Sequence, residues 1–322
     1  DKLVTGVQTC ALPIYWVMDR LVAFAMAITR PWRTVCWCRR SSMAGALRSI
    51  SQVWIAPCAC LRPAWPCPHF NRLNPVHAPT LNLELPDWPG AKVFFSTRAG
   101  GVSAAPYHHL NLGDHVGDDP AAVAVNRARL AAAWGVQPVF LTQTHGTDVI
   151  WLDAGSDWAA SNRQADASIT DLPGLACTIL VADCLPVMFY LPSAKRVAAA
   201  HAGWRGLAAG VLDKTLDQLA KRASLDDLQV WLGPCIGPTA FEVGEDVRLA
   251  FQPQESGLSD CFKPKSEGKW WADLAGLARH RLSQRGVNQV QGNDGSLAWC
   301  TFTQAQHFFS HRRDRISGRM AV

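Results

Sequence analysis

Acidic residues are almost missing from the first quarter of this chain. Residues 1–79 hold nine Lys and Arg but only Asp1 and Asp19, whereas residues 80–322 hold twenty-two basic and twenty-four acidic residues. The formal net charge of +5 therefore belongs to the leader, and the remainder is slightly negative. This split removes the basic stripe that nucleic-acid binding requires, despite a pI near 8.7. The leader also lacks periodicity and any apolar run long enough to span a bilayer; its longest, Leu21 to Ile28, is far too short. It has no ordered charged, apolar and cleavage-site segments, so it does not read as a signal peptide. The Cys36-Trp-Cys38 and Cys58-Ala-Cys60 pairs have one-residue spacing, which misses the zinc-ribbon pattern. Residues 1–79 are expected to be a disordered or spurious leader, with Asp1 to Ile14 resembling translated adapter sequence, and to contribute no compact core.

A disulfide framework is lacking too. The body has five cysteines (177, 184, 235, 261 and 300), an odd number at wide spacing, several beside apolar runs. Free thiols in a reducing compartment follow, and the body reads as cytoplasmic. With 48% hydrophobic residues it can bury a sizeable core.

What is present is organised around Val181 to Gly206. Apolar runs at Leu175 to Ala182 and Val187 to Tyr190 bracket Asp183-Cys184-Leu185-Pro186, so a thiol is displayed where a buried strand is interrupted. A third run, Val197 to Ala200, delivers His201 into a turn of small residues, and the Pro192 to Arg196 segment lets the second and third runs lie antiparallel. Cys184 and His201 then meet at one end of a sheet. Imidazole and thiolate on rigid strands suit either a transition metal or a nucleophile with its base.

Other elements frame this pair. Leu81 to Leu85 and Ala91 to Ser96 read as strands, the second running into Thr97-Arg98 and a double glycine. Asp119 and Pro120 open a helix to Trp134 that Gly135 closes. Phe140 to Leu152 reads as two strands around His145-Gly146. A second helix is expected from Leu207 to about Arg222, its N-terminus offering an anion site beside Arg205. Residues 252–269 read as loop, and Trp271 to Arg285 as a third helix. Cys235 reads as a packed thiol, and His108, His109 and His115 as surface residues.

Several ordered motifs carry a family resemblance: STRAGGVS at 96–103, PYHHLNLGDHVGDD at 106–119, THG at 144–146, ADCLP at 182–186, HAGWRG at 201–206, GPCIGP at 233–238, FEVG at 241–244 and FFSHRRD at 308–314. Over about residues 81–322 the chain resembles the YfiH/laccase-domain family, described as multifunctional purine nucleoside enzymes, polyphenol oxidases and peptidoglycan editing factors. The resemblance implies an α+β fold, a single domain (residues 80–322) of mixed and antiparallel sheets covered by helices. It also implies a zinc site of His145, Cys184 and His201, with copper the alternative, acting on a purine nucleoside and phosphate. Two departures from the family pattern stand out: the chain stops at Met320-Ala-Val322, where a short apolar strand usually continues, and His311 replaces an aromatic.

Three protein ligands leave a tetrahedral metal one open position, which marks a catalytic site. The expected activity is purine nucleoside phosphorolysis with adenosine deamination at the side. Alternatives are hydrolytic editing of peptidoglycan precursors, copper-dependent phenol oxidation and non-enzymatic metal binding. The usual zinc deaminase signature is missing, because neither His145 nor His201 has a Glu two residues on. The expected catalytic residues are Cys184, His201 and Glu242, with Arg98, Asn111 and Arg205 for substrate and phosphate. Glu242 is expected to share a cavity with Arg205.

Overall fold

The computed structural model describes residues 83–155, 163–251 and 257–322. The leader, its two C-x-C pairs and the start of the Leu81 run lie outside the described residues. His69–Val322 forms a unit of its own.

The elements follow in chain order. Helix α1 (Pro120–Trp134) is followed by β1 (Gln137–Phe140), β2 (Val149–Trp151), β3 (Ala167–Thr170), β4 (Leu175–Thr178), β5 (Leu180–Val181), β6 (Leu185–Leu191) and β7 (Arg196–Ala202). Next come α2 (Trp204–Ala209), α3 (Val211–Ala220), β8 (Gln229–Leu232), β9 (Glu242–Gly244) and α4 (Glu245–Ala250). The chain ends with β10 (Phe262–Ser266), β11 (Lys269–Ala272), α5 (Leu274–Gln284), β12 (Val290–Gly292), α6 (His311–Asp314) and β13 (Met320–Ala321). The architecture is α+β with several sheets, as the sequence implied.

The central sheet runs in the order β12-β8-β6-β7-β3-β2. Its middle is the antiparallel hairpin β6–β7, in register from Leu185 opposite Ala202 to Leu191 opposite Arg196. All seven residues of β6 are buried, because alternate side chains enter two separate cores. Leu185, Val187 and Phe189 pack with Leu212, Leu216 and Leu219 of α3. Met188 and Tyr190 point the other way, toward Trp231, Phe308 and Phe309. The alanines of β7 keep that strand thin enough for both layers to close on it.

Several elements differ from the sequence expectations. No strand forms over 83–96; there Ser96 donates its backbone N–H to the Ala321 carbonyl at 2.9 Å, so the segment lies against the chain end without joining a ladder. The expected strand pair around His145 divides between sheets, β1 pairing with β4 and β2 with β3, each parallel. The Leu175 run also divides, since β5 pairs with β13. The second helix starts at Trp204 and breaks at Gly210, whose φ of +93° is a left-handed conformation that suits glycine. The segment read as loop contains the β10–β11 hairpin, which takes Trp271 into a strand. Helix α5 begins only after Asp273 accepts the Gly276 N–H as its cap.

Candidate metal centre

Three elements end at one place. Cys184 stands one residue before β6, His201 is the sixth residue of β7, and His145 lies on the turn between β1 and β2. Their ligand atoms all lie within 4.8 Å of one another. The Cys184 Sγ is 3.6 Å from His145 Nε2, and the two imidazoles meet edge to face with centroids 4.7 Å apart. The cluster is graded in exposure: His145 is exposed, Cys184 half-buried and His201 buried. It is therefore reachable from the His145 side.

Asp166 builds this arrangement. Its Oδ2 accepts the backbone N–H groups of Thr144 (3.1 Å) and Gly146 (2.7 Å) and the Thr144 hydroxyl (3.0 Å), while Oδ1 accepts the His145 N–H at 2.9 Å. One carboxylate thus folds the turn that puts His145 at a φ of +60°. The same Oδ1 lies 2.8 Å from His201 Nδ1, so that nitrogen carries the proton toward Asp166 and Nε2 faces the cluster. Asp166 also takes the His201 backbone N–H on its own carbonyl, at 2.7 Å. Asp166 is not among the site residues expected from the sequence. The signal was there: an acid next to a buried apolar strand requires donors.

Asp183 plays the corresponding part for Cys184. It adopts a φ of +93°, a costly conformation for a non-glycine residue. Its carboxylate accepts the Thr301 hydroxyl at 2.6 Å and the Arg312 N–H at 2.7 Å, and its carbonyl accepts the Ile236 N–H at 2.9 Å. These bonds, from Ile236 of the GPCIGP segment, Arg312 of the FFSHRRD segment and Thr301 between them, hold the residue next to the thiol in place.

The electrostatics suit metal ligation. Burial pushes the Cys184 thiol up, but the charge of His201 and hydrogen bonds from both imidazoles outweigh it and bring the thiol down to about 6. Burial works against protonation of His201; the Cys184 charge and the Asp166 hydrogen bond overcome it and raise His201 to about 9. Gly203 leaves the space: a Cβ there would fall 2.9 Å from His145 Cδ2 and 3.0 Å from Cys184 Sγ. Two imidazole nitrogens and an ionisable thiol, with a carboxylate behind one imidazole, form a donor set that fits a transition metal. Among the described residues, no other group of His, Cys, Asp or Glu converges in this way.

The remaining expected residues are placed elsewhere. Asn111 is fully buried. Its amide donates to the Gly113 carbonyl and Asp118, and its oxygen accepts the N–H groups of Gly113 and Arg319, so every hydrogen-bonding position is filled and none is left for a substrate. Arg98 donates to the carbonyls of His108 and Ala305 and lies over the Phe309 ring, where it ties loops together. Arg205 is exposed and stacked on Trp204. The Leu207 N–H expected to greet an anion is bonded to the Gly203 carbonyl instead, at 2.9 Å. Glu242 is ion-paired with Lys265, whose hydrogen bond lowers its pKa from the usual carboxylate value. Among the described residues no hydrogen bond or ion pair joins Glu242 to Arg205. Cys235 is buried, accepts from Asn293 and is pushed well above the normal thiol range by burial.

The family described as multi-copper polyphenol oxidoreductase laccase matches residues 92–322. A purine nucleoside phosphorylase of Pseudomonas aeruginosa is 48% identical over 240 residues, 73% of this chain and 95% of that protein. The purine nucleoside phosphorylase YfiH of Escherichia coli K12 is 47% identical over 244 residues, 74% of this chain and 96% of its own length. Among solved structures, a Neisseria meningitidis protein assigned to DUF152 superposes with a TM-score of 0.67 at 42% identity, covering 74% of this chain and 97% of its own. The motif set, the sheet that gathers His145, Cys184 and His201, and these matches agree: the chain belongs to the YfiH/laccase-domain family.

Proposed function

We propose that this chain is a zinc-dependent purine nucleoside phosphorylase with adenosine deaminase side activity. The observation that carries the reading is the convergence of the three ligand atoms within 4.8 Å, on a face that His145 leaves open. The names of the relatives supply the substrate class. One thiolate and two imidazoles suit zinc with a free fourth position. A multi-copper oxidase needs several metal sites, whereas the described residues form one such cluster.

In phosphorolysis a phosphate oxygen bonds to the anomeric carbon, the glycosidic C–N bond breaks, and its electron pair leaves with the purine, which takes up a proton. The products are the free base and ribose 1-phosphate. Deamination instead exchanges the adenine amino group for the oxygen of water and releases ammonia. Zinc, when bound, supplies Lewis acidity at the open position. The chain's own contribution is positional. Asp166 keeps a proton on His201 Nδ1 and so directs the Nε2 lone pair inward, the Asp183 contacts fix the thiol, and Gly203 keeps the floor of the cluster clear.

A second reading has an observation of its own. The lowered Cys184 pKa and raised His201 pKa describe a thiolate–imidazolium pair, which is also how a cysteine nucleophile is activated. One experiment separates the two: metal analysis of the purified protein, then incubation with adenosine with and without phosphate, for the wild type, the chelated protein and Cys184→Ala. Zinc-dependent phosphorolysis gives adenine only when both phosphate and metal are present, and Cys184→Ala loses metal and turnover together. Full turnover by the chelated protein would overturn the zinc reading and leave the nucleophile.

A further inference from the structure

Phosphorolysis requires an oxyanion to be held at the anomeric carbon; of the arginines expected to hold it, Arg98 donates to two loop carbonyls and Arg205 is exposed and stacked on Trp204, with no hydrogen bond to fix its fork among the described residues. Arg319 is placed differently. Its backbone is fixed on both sides, the N–H donating to Asn111 Oδ1 at 2.8 Å and the carbonyl accepting the Leu112 N–H at 3.0 Å. Its stem lies over Gly113, where a Cβ would fall 2.8 Å from Arg319 Cγ. Its Nη1 donates to the carbonyls of Ser317 (2.8 Å) and Gly318 (3.1 Å), which locks the plane of the guanidinium.

That leaves the Nε–Nη2 edge. Among the described residues neither atom has a partner, and neither is sealed from solvent. This edge carries two parallel N–H groups in the geometry that grips a phosphate or carboxylate bidentately. The side chain is half-buried. The next residue, Met320, pairs with Val181 across β13 and β5, three residues before Cys184, so the strand register brings Arg319 to the edge of the cluster, where the charges of Cys184 and Asp183 act on it. The cation of Arg319 is in turn felt by His115 on the loop that follows Asn111. Arg312 also has a free edge, but its Nη1 is bonded to the Glu242 carbonyl and its head lies over the Phe241 ring.

We propose that the Nε–Nη2 edge of Arg319 is the phosphate-binding group of the metal site. The inference rests on the phosphorylase reading for the identity of the oxyanion. The fork itself rests on the geometry alone.

The test uses the full, metal-loaded chain with inorganic phosphate as the probe. Phosphate KM is measured with a nucleoside, and phosphate binding is measured directly by calorimetry, for the wild type, Arg319→Lys and Arg319→Gln, with metal content and melting recorded for each. Lysine keeps the charge and the stem but not the fork, so phosphate KM should rise about tenfold or more while metal content stays constant. Direct binding should weaken in step. In parallel, phosphate should slow the modification of wild-type Arg319 by an arginine-specific dicarbonyl, read by peptide mass; this arm needs no variant to fold. Wild-type phosphate binding in Arg319→Lys, or modification of Arg319 indifferent to phosphate, overturns the inference while leaving phosphorolysis intact. Arg319-dependent phosphate binding without nucleoside cleavage in the wild type upholds the anion site and sinks the phosphorylase reading.

Discussion

Asp166 sets how many protons the cluster must lose to accept a metal. Burial alone would raise its pKa, but hydrogen bonds from His201, Gly146 and Thr144 bring it to about 2, so it stays ionised behind His201. Between about 6 and about 9 the metal-free protein therefore pairs a Cys184 thiolate with a protonated His201. A metal needs the neutral imidazole, so uptake in this window expels the His201 proton and apparent affinity should climb roughly tenfold per pH unit. The climb should level off near pH 9, where His201 is already neutral. The Cys184 charge and the Asp166 hydrogen bond both raise His201; Asp166→Asn removes the second contribution, so the levelling should move to lower pH. Affinity above it should fall roughly 10- to 100-fold, the usual effect of losing the partner behind a ligand. Chelator competition across pH checks both points, and a profile flat from pH 6 upward would show that His201 is not a ligand. At this scale the sequence displayed the three donors but not what holds them. The spacing of His145, Cys184 and His201 around strand ends was readable, whereas Asp166 acts on residues twenty-one and thirty-five positions away. Asn111 misled for a related reason: a polar residue in a polar loop looks available until the fold buries it.

Among the elements, α2 depends on glycine for its seat. A Cβ on Gly206 would lie 2.8 Å from the Gly146 carbonyl oxygen, so the helix can rest on the His145 turn only without a side chain at that position. Gly206→Ala should push turn and helix apart, costing about 1–3 kcal/mol as overpacking does and weakening metal binding through displacement of His145. Denaturant unfolding and metal titration of the variant measure the two effects separately. Unchanged values in both would mean that the turn tolerates displacement. The strands of this region were legible because β6 and β7 are long, apolar and bracketed by Pro and Gly. The helix break was not, because Leu207, Val211 and Leu212 keep a plausible helical face across Gly210, and only its backbone conformation ends the first segment. The sequence extends the helix to Trp271 because an apolar residue next to a helical pattern looks continuous with it; the Asp273 cap marks the true start.

For the whole chain, the informative asymmetry is between composition and homology. The Pseudomonas and Escherichia relatives are covered over 95% and 96% of their lengths by 73% and 74% of this chain. The family match itself begins at residue 92. The composition break at residue 79 falls in the stretch that separates that match from the division between Pro68 and His69. The ligands, the Asp166 and Asp183 contacts and the Arg319 fork all belong to residues after 90. A chain beginning at Thr80 should therefore keep the metal affinity, phosphate KM and turnover of the full protein. Its denaturant m value should also be unchanged, because m follows the surface exposed on unfolding and a leader that, as the sequence leads us to expect, contributes no compact core would expose none. Matched unfolding curves and metal titrations of the two chains provide the comparison. A drop in m, or metal affinity lost with the leader, would mean that residues 1–79 bury surface against the rest and that the charge imbalance was a poor guide to the boundary.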